Sequence, residues 1–214
     1  MLKMDFLGLR TLSIIADAID NIYRSKNIKI NIDDIPENDP KAFELFQKGA
    51  TIGIFQFESP GMQKYLKELH PENIEDLIAM NALYRPGPMD NIPSFIDRKQ
   101  GREKIEYPHE LLVDILKPTY GIMVYQEQIM QAAQRCAGFT LGKADILRRA
   151  MGKKKMDVMA SMKAEFIEGC KKTNNIDEQK ATEIFDIMEK FASYGFNRSH
   201  SAAYAVIAYR TAYL

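Results

Sequence analysis

Residues 194–204 read Tyr-Gly-Phe-Asn-Arg-Ser-His-Ser-Ala-Ala-Tyr, and this stretch decides how the C-terminal part of the chain folds. Gly195 interrupts the helical pattern that precedes it, and Ser199 is placed to cap a helix that continues to Leu214. Small residues such as Ser201 and Ala202 keep the start of that helix thin. Another backbone or a ligand can therefore approach it closely.

The same stretch combines groups that suit a ligand with both phosphates and a base. A helix N-terminus presents free N–H groups and the positive end of its dipole. Tyr194, Arg198 and His200 add an aromatic ring, a guanidinium and an imidazole. The alternative is a tightly packed helix with a glycine stop and a polar cap.

A second basic cluster lies upstream, at the end of another predicted helix. Residues 148–155 hold five positive charges and no negative one: Arg148, Arg149, Lys153, Lys154 and Lys155. Asp145 lies three and four residues before the two arginines, so it can pair with either. Because one carboxylate neutralises only one of the five charges, the cluster favours phosphate binding.

Composition and charge limit the possible classes of protein. Of the 214 residues, 46% are apolar and 27% are charged, as in ordinary globular proteins. No apolar run approaches a membrane span and the N-terminus has no secretory signal, so we expect a cytoplasmic protein with reduced cysteines. Residues 135–214 hold 14 Lys and Arg against 9 Asp and Glu, so they carry +5 and the remainder −5. This asymmetry indicates a polyanion at the C-terminal part.

The hydrophobic pattern predicts a mainly α-helical chain of about ten helices with a few short strands. Strands are expected at residues 3–7, 51–57 and 122–125, and a helix is expected to start at Tyr107 and end at Pro118. The polar side chains of the helix predicted at residues 126–137 are interpreted mainly as a solvated face: Gln126, Glu127, Gln128, Gln131 and Gln134.

Three further features of the sequence are informative. Asp5 lies between two apolar neighbours in the first predicted strand, so it is paired, bound to a metal, turned to solvent or a helix cap. Two prolines around Gly87 predict a rigid turn that holds Tyr84 and Arg85 in a set orientation. The chain begins in a strand pattern and ends at Leu214 without a helix stop signal, which predicts truncation at both ends.

Several segments together resemble one protein family. They are Lys-Met-Asp-Phe-Leu-Gly-Leu at residues 3–9, Tyr-Arg-Pro-Gly-Pro-Met at 84–89, Leu-Arg-Arg-Ala-Met-Gly-Lys-Lys at 147–154 and Tyr-Gly-Phe-Asn-Arg-Ser-His at 194–200. Thr-Tyr-Gly at 119–121, leading into Tyr-Gln-Glu-Gln at 125–128, also matches. In this order they resemble the alpha subunits of bacterial DNA polymerase III, the C-family replicative polymerases, over essentially all of the chain.

The resemblance implies a helical fingers domain at residues 9–214, preceded by the end of the palm domain at residues 1–8. Asp5 matches the third catalytic carboxylate of that family and would hold Mg²⁺ in the full enzyme. The other two aspartates of the family's palm segment are absent from this sequence. We therefore expect the chain alone to be inactive, since one carboxylate does not assemble a two-metal site.

The resemblance also implies a set of binding residues. Lys3, Arg148, Arg149, Tyr194 and His200 would contact the incoming dNTP, the arginines at the triphosphate and Tyr194 and His200 at the nascent base pair. DNA contacts are expected from Lys153, Lys154 and Lys155 and from Arg198. Arg198 stands where many members of the family have lysine. The implied partners are dNTP, primer–template DNA, the palm and thumb and, through absent regions, the sliding clamp and other replisome subunits.

Two other function classes are compatible with the residues. A nucleic-acid-binding module without dNTP preference would use the same basic C-terminal region. A purely structural or partner-binding helical domain would bind neither ligand.

Overall fold

The computed structural model describes residues 10–152, 156–192 and 194–214, with the backbone alone for residues 156 and 157. These residues form eleven α-helices and four short 3₁₀ turns. The helices are α1 (Arg10–Lys26), α2 (Pro40–Gln47), α3 (Pro60–Leu69), α4 (Ile74–Leu83), α5 (Ile92–Lys99), α6 (Val113–Leu116), α7 (Gln126–Ala137), α8 (Leu141–Gly152), α9 (Met156–Asn174), α10 (Glu178–Ala192) and α11 (Arg198–Tyr213). The only β pairing among the described residues is one parallel bridge between Tyr125 and Phe196. The predicted mainly α class is confirmed.

The chain forms two compact units, Met1–Ile74 with Tyr204–Leu214, and Glu75–Ala203. In the first, Asp39 caps α2 by accepting hydrogen bonds from Lys41 N and Ala42 N, and Ser59 caps α3. Tyr209 is buried against the Phe43 ring, at 5.1 Å between centroids. Its hydroxyl accepts from Asp39 N at 2.7 Å and donates to Pro36 O at 2.8 Å, so its buried polar group is satisfied.

The second unit is built around α7, which packs against α8 and α9, while α9 packs against α10. A Cβ at Gly169 would meet the carbonyl oxygen of Ala137, so the glycine allows α9 to approach the end of α7. Phe166 and Phe185 are fully buried in this core, with ring centroids 5.5 Å apart. Both cysteines are free and buried in the same core, as expected for reduced structural thiols.

Small residues allow close packing at the start of α11, as the sequence predicts. Ser201 is fully buried, and its hydroxyl donates to Ile78 O in α4 at 2.7 Å. Asn81, one turn further along α4, donates to the Ser201 hydroxyl at 3.2 Å. These two polar contacts hold the first turn of α11 against α4.

The predicted strand at residues 51–57 is wrong: this segment is a series of turns. Gly53 and Gln56 have φ of +83° and +67°, in a region that an extended strand excludes. The hydroxyl of Thr51 donates to Phe57 O at 2.6 Å and closes the segment on itself.

Two other predicted elements also differ. Instead of one helix between residues 107 and 118, a 3₁₀ turn at Glu110–Leu112 precedes the single turn of α6, and a second 3₁₀ turn follows at Lys117–Thr119. His109, not Tyr107, caps the start through its ring nitrogen, and Pro118 has no N–H with which to continue the α-helix. The strand expected at residues 122–125 is reduced to the bridge at Tyr125, because the side-chain oxygen of Gln128 accepts from Val124 N and Tyr125 N.

The strand predicted at residues 3–7 lies outside the described residues. No helix in the described ranges is long and apolar enough to cross a membrane.

Candidate functional site

Tyr194, Gly195 and Phe196 form a short non-helical segment whose three carbonyl groups are all bound by other parts of the second unit. Arg85 Nη2 donates to Tyr194 O at 2.7 Å. The side-chain amide of Gln126 donates to Gly195 O at 3.0 Å, and its backbone N–H donates to Phe196 O at 2.9 Å. Phe196 N in turn donates to Val124 O at 3.1 Å. We call residues 194–196 the bridging segment, since it links the turn after α4 to the start of α7.

Arg85 is anchored in the turn that follows α4. Its Nε donates to Ala82 O at 2.9 Å, and its guanidinium carbon lies 4.4 Å from the centre of the Phe196 ring. Partial burial lowers the pKa of this guanidinium, which still remains charged at neutral pH. The turn therefore orients Arg85, as the two prolines predict, and Arg85 fixes the bridging segment by both a hydrogen bond and cation–π stacking.

Gly87 lies directly against the ring of Tyr194. A Cβ built on Gly87 would lie 2.5 Å from Tyr194 Cε1 and 2.6 Å from Cδ1. The backbone of Gly87 has φ +99° and ψ −73°, which favours glycine. Tyr194 remains 45% exposed, so part of its side chain is available to a ligand while the turn restricts where the ring can lie.

Asn197, not Ser199, caps α11, so the predicted cap is wrong by two residues. The Asn197 side-chain oxygen accepts from His200 N at 2.9 Å, and the helix begins at Arg198. Asparagine is as good a cap as serine, and Asn197 is the residue that precedes the first helical turn. His200 lies in that turn, with its ring 5.5 Å from the Phe196 ring in an edge-to-face arrangement.

The N-terminus of α11 already has an anion beside it. Both carboxylate oxygens of Glu127 accept from Arg198 N at 3.1 Å, where the helix dipole favours negative charge. The Arg198 guanidinium donates to Glu75 at 2.6 Å and lies 5.9 Å from the centre of the Tyr125 ring. The hydrogen bond to Glu75 raises the pKa of Arg198.

Arg148 and Arg149 are both paired with Asp145. Oδ1 of Asp145 accepts from Nε and Nη2 of Arg148 at 3.0 and 2.7 Å, and Oδ2 accepts from Nε of Arg149 at 2.8 Å. These contacts, that to Arg148 above all, hold the pKa of Asp145 below its usual value. Arg148 Nη1 also donates to the side-chain oxygen of Gln126 at 3.1 Å. The Arg148 side chain is 23% exposed and that of Arg149 65%, so the first is held far more firmly.

Tyr125 carries an unusual buried hydroxyl. Tyr125 is 3% exposed, and its hydroxyl finds no hydrogen-bond partner in the described part of the chain. Burial raises the pKa of this phenol, so the group is neutral. Tyr125, Glu75, Glu127 and Arg198 are among the residues that line a cleft of about 450 Å³.

The described residues do not fit a metal site. Within residues 10–152, 156–192 and 194–214, no three His, Cys, Asp or Glu side chains group so that they could hold an ion. Asp5, the predicted ligand, lies outside these ranges.

The family described as bacterial DNA polymerase III alpha subunit finger domain matches residues 11–174 of the chain. The chain belongs to this family. DNA polymerase III alpha subunits of Borreliella burgdorferi, Bacillus subtilis and Pseudomonas aeruginosa are similar to it, with 55%, 54% and 53% identity over all of the chain. The chain spans 18%, 19% and 19% of the length of these three relatives. The resemblance inferred from the motifs is confirmed.

Five of the predicted site residues of this fingers sequence are close in structure. Arg148 is joined to the bridging segment through Gln126, Tyr194 is part of that segment, and His200 contacts its phenylalanine. Arg149 shares Asp145 with Arg148 but is largely exposed. Arg198 is paired with Glu75 beside the same segment. Lys3, Asp5, Lys153, Lys154 and Lys155 lie outside the described residues.

Sequence reasoning missed the residues that connect these groups. Gln126, Glu127 and Gln128 were interpreted as a solvated face, but Gln128 is 4% exposed and the first two hold the bridging segment and the start of α11. Two signals could have identified them: they cluster directly after a predicted strand, and they form part of the Tyr-Gln-Glu-Gln motif at residues 125–128.

Proposed function

We propose that this chain is the fingers part of a replicative DNA-directed DNA polymerase. Its membership of the fingers family supports this proposal, as does its similarity, over the whole chain, to DNA polymerase III alpha subunits. Residues 9–214 would form the fingers, and residues 1–8 would end the palm. In the longer protein the fingers would bind the incoming dNTP during template-directed nucleotidyl transfer in the bacterial cytoplasm.

Arg148 would bind the triphosphate. Hydrogen bonds within the described residues use three of its five N–H donors, two to Asp145 and one to Gln126, which leaves two for phosphate oxygens. A guanidinium held in this way loses little freedom when it binds, and it stabilises charge that grows on the triphosphate as the bond to the leaving group breaks. This pre-oriented arginine beside the bridging segment is the observation that carries the proposal.

Arg149 would also bind the triphosphate, but its side chain is held less firmly than that of Arg148. It makes a contact to Asp145 through Nε, and its side chain is 65% exposed. A mobile guanidinium must be ordered by the ligand, so we expect Arg149 to contribute less than Arg148 per contact.

Tyr194 and His200 would line the pocket of the nascent base pair. The Tyr194 ring lies against Gly87 and the residue is 45% exposed, which leaves part of the ring for stacking against a base or sugar. His200 packs on Phe196 and would complete the same wall.

The remaining residues of the proposal, apart from Arg198, lie outside the described ranges. Lys3 would lie beside the nucleotide, and Asp5 would be the one catalytic carboxylate and Mg²⁺ ligand of this sequence. DNA would be bound by Lys153, Lys154 and Lys155, and by Arg198 where its pairing with Glu75 is exchanged for a phosphate. Palm, thumb, primer–template DNA, sliding clamp and other replisome subunits would be the partners.

The proposal is tested by steady-state kinetics of a full-length polymerase that carries this sequence as its fingers. Arg148→Ala removes a charged donor from a largely desolvated site, which costs roughly 2–4 kcal/mol, or about 30- to 1000-fold in kcat/KM, with kcat falling as well. Arg135→Ala, an exposed arginine at the end of α7, is the matched control and should have no effect. If Arg148→Ala and Arg149→Ala both keep wild-type kinetics for every dNTP, the phosphate role is wrong.

The isolated 214-residue chain provides a second test. Primer extension with Mg²⁺ or Mn²⁺ should yield no product above a control without protein, because two of the three expected carboxylates are missing. Template-dependent extension by the pure chain would contradict the proposal.

A further inference from the structure

We infer that Gln126 is a positioning residue that fixes the Arg148 guanidinium relative to the bridging segment, and so couples triphosphate binding to base-pair recognition. The inference rests on the proposed function, because it assigns the coupling between two of its sites. It concerns a side chain that would touch neither the nucleotide nor the DNA.

The geometry of the amide supports this role. The Gln126 side-chain oxygen accepts from Arg148 Nη1 at 3.1 Å, and its nitrogen donates to Gly195 O at 3.0 Å. A guanidinium can only donate and a carbonyl can only accept, so these two neighbours permit one orientation of the amide. The reversed amide would place donor against donor at Arg148 and acceptor against acceptor at Gly195.

Each end of this link is also held by a second side chain. Asp145 holds the Nε and Nη2 groups of Arg148, while Gln126 holds Nη1 and so sets the direction of the remaining donors. Arg85 holds the carbonyl of Tyr194, and Gln126 holds that of the next residue, Gly195. Loss of the amide would leave Arg148 free to rotate about its contact with Asp145, and would free one carbonyl of the bridging segment.

The backbone of Gln126 allows the side chain to be changed without loss of the local fold. Gln126 N donates to Phe196 O at 2.9 Å, and this contact does not depend on the side chain. Substitutions therefore remove the coupling and keep the parallel bridge between Tyr125 and Phe196.

The test uses full-length polymerase that carries this sequence, with pre-steady-state incorporation of correct and incorrect dNTP. Gln126→Leu has a similar shape but neither accepts nor donates. We expect its kcat/KM for the correct dNTP to fall by roughly 10- to 100-fold, the range for a lost hydrogen bond to a charged group, with reduced discrimination against incorrect dNTP. Gln131→Leu, an exposed glutamine on the same helix, is the matched control and should match wild type.

Gln126→Glu separates the two ends of the link. A carboxylate still accepts from Arg148, but it cannot donate to Gly195 O and repels it. We expect this variant to keep most of the incorporation rate and to lose discrimination. A role of Gln126 in folding alone would not produce that split, and the Glu variant remains informative if the Leu variant unfolds.

A double-mutant cycle completes the test. In an Arg148→Ala background, Gln126→Leu should lower the incorporation rate by no more than about twofold, the usual error of additivity.

If Arg148→Ala is slow but Gln126→Leu matches wild type, or if the two effects are simply additive, the inference is overturned and the proposed function stands. Wild-type rate and discrimination in Gln126→Glu would also overturn it. If Arg148→Ala itself has no effect, the proposed function fails and the inference with it.

Discussion

Replacing Gly87 by alanine should displace Tyr194 without changing that side chain itself. The new Cβ would lie 2.5 and 2.6 Å from two ring carbons, whereas carbon atoms in contact are normally about 3.5–4.0 Å apart. The ring must therefore move by about 1 Å. Because Tyr194 is 45% exposed, it has room to turn away from the turn and into solvent.

Two consequences with different magnitudes follow. The backbone at φ +99° is unfavourable for alanine and costs about 1–3 kcal/mol of stability, or roughly 2–12 °C in Tm for a chain of this length. In the full-length polymerase, the displaced ring would lose a stacking contact of about 1–3 kcal/mol. We therefore expect kcat/KM for the correct dNTP to fall by roughly 5- to 150-fold, mainly through KM.

Gly101→Ala separates the two effects. Gly101 also has a positive φ, +72°, but a Cβ there would meet nothing within 4 Å. This control should lose stability and keep wild-type kinetics. In a Tyr194→Ala background, Gly87→Ala should have little further kinetic effect, since the ring it displaces is gone. Wild-type kinetics for a folded Gly87→Ala, or equal kinetic losses in Gly87→Ala and Gly101→Ala, would refute the reasoning.

Three other changes test separate parts of the site. Asp145→Asn should lower kcat/KM in the full-length enzyme although it makes the site more positive, because orientation of Arg148 matters more than added charge; an increase would contradict this. Since the pKa of Asp145 is lowered, its pairing should persist at neutral pH and be lost only as pH falls through that lowered value. Tyr125→Phe should leave the free energy of unfolding in urea unchanged or raise it by about 1 kcal/mol, since no described residue bonds the Tyr125 hydroxyl. A clear loss of stability would show that the hydroxyl has a bound partner. Replacing Lys153, Lys154 and Lys155 by alanine should reduce the slope of log K against log salt for duplex DNA by about 0.9 for each lost phosphate contact, whereas an unchanged slope would mean that the lysines are only solvated.

The parts of the fold that were predictable are those that local sequence determines. Ser59 precedes a helix-compatible proline, and Gly138 ends α7 in the left-handed conformation, so a few neighbouring residues define each boundary. The strand prediction for residues 51–57 failed because an apolar run does not show whether a partner strand exists. Without a partner strand, the backbone folds into turns.

The connections within the site could not be predicted in the same way. Gln126 and Gly195 are 69 residues apart, and Glu127 and Arg198 are 71 apart. The sequence around Gln126 does not show which distant segment its side chain would join. Arg148, Arg149, Tyr194 and His200 were predicted as site residues because they belong to motifs. Arg85 and Gln126 belong to motifs as well, but the contacts by which they hold the bridging segment are recognised only in three dimensions.

We propose that Arg148 contacts the triphosphate and Tyr194 the base pair, and the most direct test is the ratio of kcat/KM for correct to incorrect dNTP. In a full-length polymerase that carries this sequence, Arg148→Ala should lower both values strongly and change their ratio much less than Tyr194→Ala does, since every dNTP has the same triphosphate. Tyr194→Ala should lower the ratio, because the wall beside the base pair is lost. An unchanged ratio in Tyr194→Ala, together with a changed ratio in Arg148→Ala, would contradict the assignment of phosphate and base contacts made here.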